Sequence, residues 1–124
     1  MSLVLGVGFR KSAPLGALQE VIKRVLEGHE TPDFITTIDR KSTDEKVQII
    51  ARELGAKIIF VSEDRHKGIK TPTQSDIIQD GFGTGSIAES CALVSGENTR
   101  IITPRMTSHD GTATAALAIM ETEK

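Results

Sequence analysis

Short apolar runs alternate along this chain with stretches whose apolar residues recur every three or four positions. This alternation limits the fold more than any other feature. The runs are residues 3–8, 34–38, 57–61, 100–103 and 112–120. The first three are short and largely apolar, as strands are when helices cover both faces of a parallel sheet. Between the first two runs, Leu15, Leu18, Val21, Ile22, Val25 and Leu26 mark one face of a helix. Ser12 suits its N-cap, Pro14 its first turn and Gly28 its stop. Ser42 and Glu45 have capping-box spacing ahead of a second helix, which Gly55 ends. Ser86 and Glu89 repeat the box ahead of a third helix carrying Ile87, Cys91, Leu93 and Val94, with Gly96 as its stop. Residues 62–67 read as a helical turn, 68–75 as a loop and 75–79 as a short helix. The last run, whose alanine content also suits a helix, follows the fourth after a loop at 104–111, so the two should pair as an antiparallel hairpin.

The order β-α-β-α-β-(α)-α-β-β predicts a single three-layer α/β/α domain over residues 1–124. Its five-stranded sheet should be mostly parallel, with right-handed crossovers and an antiparallel C-terminal hairpin strand. A chain of 124 residues with 38% apolar content is large enough for one core.

Composition removes several function classes. The formal net charge is −2, and there is no Trp, no Tyr and only four Phe. Neither a nucleic acid nor an anionic membrane is an expected partner. The one cysteine, Cys91, excludes an internal disulfide and a multi-cysteine metal site, and lies on the apolar face of its helix. His29, His66 and His109 fall in separate segments, so no metal and no cofactor is expected. No run approaches transmembrane length and no secretory signal is visible, so the expected location is cytoplasmic.

In sheets of this kind ligands bind beyond the carboxyl ends of the strands. The residues expected there are 8–11, 39–42, 62–66 and 103–105. Gly8 and Arg10 close the first run, and a ligand contact by Arg10 competes with a merely solvated basic pair, Arg10-Lys11. Asp39 and Lys41 follow the second run; Asp39 is the candidate general base, against the bland role of holding local backbone donors. Gly83, Gly85 and Ser86 form a glycine-spaced turn opening the third helix. Its free backbone N–H groups and positive helix end suit a carboxylate or phosphate, against the plainer reading of a tight turn. The spacing GxGxG is not a dinucleotide fingerprint. Arg105 adds a cation after the fourth run. Ser108-His109-Asp110 are neighbours in sequence, which is not how a catalytic triad is built, and read as a hairpin loop.

These residues resemble the CobE family of cobalamin biosynthesis, equivalent to the C-terminal domain of CbiG. The resemblance is carried by Gly6-Val7-Gly8-Phe9-Arg10, Thr37-Ile38-Asp39-Arg40-Lys41, the GxGSxAE stretch from Gly83 to Glu89, and the ending from Thr103-Pro104-Arg105 through Gly111-Thr112-Ala113-Thr114. Phe9 stands where the family often has Cys. The resemblance implies an α/β domain that binds or processes a precorrin or cobalt-precorrin, a macrocycle fringed with carboxylates. It also implies a link to the hydrolase that opens the precorrin δ-lactone and releases acetaldehyde. Catalysis by this domain, catalysis only with a partner chain, and binding alone all stay open. On this reading the substrate-binding residues are Gly8, Arg10, Lys41, Gly83, Gly85, Ser86 and Arg105, and Asp39 is the catalytic candidate. The partners to consider beside a precorrin-type tetrapyrrole are other corrin-pathway enzymes and a second copy in a homodimer. The glycine loops on an α/β fold leave a second reading, a binder of small nucleotides or sugar phosphates.

Overall fold

The computed structural model describes residues 2–38, 44–61, 87–94 and 96–123. β1 (Ser2–Phe9), β2 (Phe34–Ile38) and β3 (Lys57–Val61) run parallel, joined through α1 (Leu15–Leu26) and α2 (Glu45–Leu54). α3 (Ile87–Val94) is followed by β4 (Gly96–Glu97), β5 (Arg100–Thr107), β6 (Ala113–Met120) and β7 (Thr122–Glu123). The main sheet has the order β3-β2-β1-β6-β5, and β4 and β7 pair as a separate two-stranded ribbon.

The sheet is therefore mixed rather than mostly parallel. Two of its strand pairs are parallel and two, β1 with β6 and β6 with β5, are antiparallel. The hairpin extends the sheet beyond β1, with its second strand, β6, next to β1 and its first, β5, at the edge. The reason is burial. β6 is apolar along most of its length, and Ala113, Ala115, Ala116, Leu117, Ala118 and Met120 are all buried. β5 alternates exposed and half-buried residues, as an edge strand does. β5 also extends past Pro104, which the sequence placed in a loop. Proline is tolerated there because the strand is an edge and its register shifts between Ile101 and Thr103 and again before Met106.

Period-two alternation along β1 divides the core. Leu5, Val7 and Phe9 face α1 and α2, where Leu18, Val21, Ile22, Val25, Val47 and Ile50 cover them. Val4 faces the other side with Phe34, Ala92, Ala118 and Met120. Each fully buried large side chain of this set contributes about 1.5–3 kcal/mol. Gly6 shares the α3 side, and a Cβ there would overlap the Ala88 carbonyl oxygen and come within 3.2 Å of the Ala92 Cβ. This glycine and two alanines let α3 lie directly on the sheet backbone.

Helix ends differ in detail from the sequence expectation. α1 starts at Leu15 with Pro14 as its N-cap and no side-chain cap bond, so Ser12 does not cap it. α2 is capped by Asp44, whose carboxylate accepts from the Lys46 N–H, and ends at Gly55 in the left-handed conformation (φ 67°). α3 ends at Val94, and Gly96 begins β4. Ser42, Ser86 and the turn and short helix expected within 62–79 lie outside the described residues.

Candidate functional site at the carboxyl edge

The carboxyl ends of β1, β2, β3 and β5 lie along one edge of the sheet, together with the first residues of β6. The β1–α1 connection is a tight turn. The Arg10 N–H donates to the Thr112 carbonyl (2.9 Å) and the Ala13 N–H donates to the Arg10 carbonyl (2.9 Å). Arg10 and Lys11 are exposed at this turn. Behind them Gly8 is buried, and its carbonyl accepts the Thr114 hydroxyl (3.2 Å).

On the α2 side of the edge, Lys46 Nζ donates to the Lys11 carbonyl (3.4 Å) and lies 3.3 Å from Asp44 Oδ2. The same ammonium sits 5.4 Å from the centre of the Phe9 ring, within cation–π range. Lys46 occupies the second position of α2, where side chains lean toward the helix N-terminus and so reach the sheet edge.

On the α3 side, Ala88 sits over Gly6, and Ala92 packs nearer the amino end of β1 with Val4 and Met120. α3 thus runs antiparallel to β1, and its N-terminal end, the positive end of its dipole, faces the carboxyl edge. Arg105 lies in β5 rather than in a loop, next to Met106. Thr103 pairs with Leu117 and Met106 with Ala115, so the register shift sets Pro104 and Arg105 against Ala116, the partner of Gly6, which puts Arg105 on the α3 side. Arg105 is half-buried, and its Nε atom is fully buried.

The β5–β6 loop is a hydrogen-bonded turn, as the sequence predicts. Ser108 Oγ donates to Asp110 Oδ1 (2.7 Å) and accepts from the Ala113 N–H (3.1 Å). Thr112 donates to the same carboxylate through its hydroxyl (2.6 Å) and its N–H (3.0 Å). These bonds, led by the Thr112 hydroxyl, hold the Asp110 carboxyl below its ordinary pKa. The Ser108 hydrogen goes to Asp110, so His109 does not activate it. The backbone N–H of His109 donates to Glu20 Oε1 (2.9 Å), and Arg24 joins Glu20 (3.0 Å) to the Thr107 carbonyl (2.9 Å). The His109 N–H first, then Arg24, lower the Glu20 pKa. This network pins the hairpin to α1.

Of the residues singled out from the sequence, the structure brings Gly8 and Arg10 to the carboxyl edge and Arg105 to the α3 face close behind it. Gly8 pairs with Thr114, and Thr114 pairs with Thr107, two residues beyond Arg105. Asp39, Lys41, Gly83, Gly85 and Ser86 lie outside the described residues. Lys46 escaped the sequence reading. Its one visible signal is a lysine in the first turn of a helix, where the macrodipole disfavours a cation. Among the described residues no group of three His, Cys, Asp or Glu side chains could hold a metal, and no helix is long and apolar enough to cross a membrane. An open groove of about 760 Å³ between α1 and α2 is floored by Ile22, Leu26, Ile50 and Leu54, away from this edge.

Residues 3–118 match the family described as Cobalamin synthesis G C-terminus. Two solved structures share the fold. One is CobE, a protein from the cobalamin (vitamin B12) biosynthetic pathway, with a TM-score of 0.82 and 21% identity over 99% of this chain and 93% of that one. The other is the cobalamin biosynthesis protein chiG from Agrobacterium tumefaciens str. C58, with a TM-score of 0.71 and 23% identity over 96% and 98% of the two chains. No curated protein sequence matches the chain significantly.

Proposed function

The chain belongs to the Cobalamin synthesis G C-terminus family, and from that premise we propose that it binds a precorrin-type tetrapyrrole across the carboxyl edge of its sheet. The observation that carries the reading is the placement of cations on both sides of that edge. Arg10, Lys11 and Lys46 lie at the end of β1 and the start of α2, and Arg105 lies on the α3 side. The N-terminal end of α3 faces the same edge. A small phosphate needs one pocket of converging donors. A macrocycle fringed with carboxylates needs several separated anion contacts over a wide surface. The arrangement suits the second better than a nucleotide or sugar phosphate.

In this reading Gly8 keeps the edge low beside the ligand, and Arg10 and Arg105 contact separate carboxylates. Lys41 and the Gly83, Gly85 and Ser86 amides are proposed to contribute further contacts, and Asp39 to be the base if the domain itself opens a lactone. The test is an absorbance titration of the protein with a precorrin, alongside Arg10→Ala and Gly85→Val. Micromolar binding, weakened about tenfold in Arg10→Ala, is expected. A changed spectrum with release of acetaldehyde would show that the domain also catalyses. Absence of binding, or stabilisation by nucleotides instead in a thermal-shift screen, would overturn the proposal.

A further inference from the structure

We infer that Lys46 is a positioning residue for this edge: it locks the β1–α1 turn so that Arg10 and Lys11 are presented to the ligand's carboxylates as fixed cations. The inference rests on the binding reading above. A lysine at the second position of a helix works against the macrodipole, and local rules are broken at a cost mainly where function requires it. Here the cost is offset by three contacts of one ammonium. Asp44 pairs with it at 3.3 Å, the Phe9 ring lies under it at 5.4 Å, and the Lys11 carbonyl accepts from it at 3.4 Å. Asp44 and Lys46 belong to α2, whereas Phe9 and Lys11 belong to the end of β1 and its turn. The ammonium therefore ties two elements that, among the described residues, no backbone hydrogen bond joins at this point. Among the described residues the turn's other backbone hydrogen bonds are the Arg10 N–H on Thr112 and the Ala13 N–H on Arg10, and the Lys11 carbonyl accepts from Lys46. Without the tie, the turn bearing both exposed cations keeps its strand anchor and the apolar packing of Phe9 and Ala13, and loses its polar hold on α2. Ordering it then falls to the ligand, and affinity drops without loss of any direct contact.

The experiment is a binding cycle with uroporphyrin, a stable octacarboxylic porphyrin, followed by fluorescence. Lys46→Met keeps the apolar stem over Phe9 and removes the ammonium; Lys46→Arg keeps a donor. Lys46→Met should bind about fivefold more weakly, the scale of one net hydrogen bond. Lys46→Arg should restore binding. In an Arg10→Ala, Lys11→Ala background the Lys46→Met effect should vanish, because the residue acts through that turn. Amide exchange gives a readout that needs no ligand: the Ala13 N–H should exchange faster in Lys46→Met, with the thermal midpoint nearly unchanged. If the wild type binds and Lys46→Met binds equally well, this inference alone falls. It also falls if the losses are additive, which would make Lys46 a direct contact, or if Ala13 exchange is unaltered. If the wild type fails to bind uroporphyrin and precorrin alike, the functional reading falls, while the exchange result still decides the lock.

Discussion

Gly6→Ala should destabilise the protein, although alanine is the better residue for a strand in almost every other setting. The added methyl would overlap the Ala88 carbonyl oxygen, lie 2.9 Å from its carbon and 3.2 Å from the Ala92 Cβ. Two of these atoms are helix backbone, which cannot rotate aside as a side chain can. Overpacking costs about 1–3 kcal/mol, and a backbone clash belongs at the upper end, about 3 kcal/mol. Replacing glycine returns about 0.5–1 kcal/mol through the unfolded chain. The net loss is about 2–2.5 kcal/mol. In a chain of 124 residues one kcal/mol moves the midpoint by about 3–5 °C, so the midpoint should fall by about 6–12 °C. Gly16→Ala is the matched control. Gly16 lies in α1 with nothing within 4 Å of an added Cβ, so the same substitution should stabilise by about 0.5–1 kcal/mol. Thermal melts followed by circular dichroism read both. A Gly6→Ala melt at or above the wild-type midpoint would refute the close seating of α3 on β1, and with it the direction of the helix end at the site.

Thr37 is wholly buried at the carboxyl end of β2, and its hydroxyl has no hydrogen-bond partner among the described residues. Thr37→Val should be neutral or stabilising by up to about 1 kcal/mol in urea denaturation; a loss beyond 1 kcal/mol would mean that the hydroxyl is satisfied in solution. Asp110 has a folded pKa below its ordinary 3.8, so its contribution is present above pH 4 and is lost as pH falls through the folded value. The stability gap between wild type and Asp110→Ala should therefore be constant from pH 7 to about pH 5 and close below pH 4; a gap that widens on acidification would contradict the bonding of Ser108 and Thr112 to that carboxylate.

The alternation of apolar runs and helical stretches was enough to place five strands and three helices along the chain. The 3.6-residue period of α1 and the short, largely apolar runs of β1 to β3 are local signals, written in the residues that form each element. Gly55, whose left-handed conformation needs glycine, was legible for the same reason. The neighbours of β6 were not. An apolar strand shows that both its faces are covered, but not which strands flank it, because pairing is settled by contacts between residues about a hundred positions apart. Thr114 and Gly8 are such a pair.

The site divides in the same way. Strand-end glycines and basic residues marked Gly8 and Arg10, since turns and their composition are local. The place of Arg105 depended on β5 running on past Pro104, which an edge position permits and a central one would not. Lys46 was invisible as a site residue because its partners, Phe9 and Lys11, lie on another element. By itself the sequence marked the main strands and helices and pointed to the carboxyl ends of the strands as the edge for the proposed anion site. The tertiary structure decided the order of the strands, the direction of α3 and which cations share an edge, because these follow from long-range packing that no local pattern encodes.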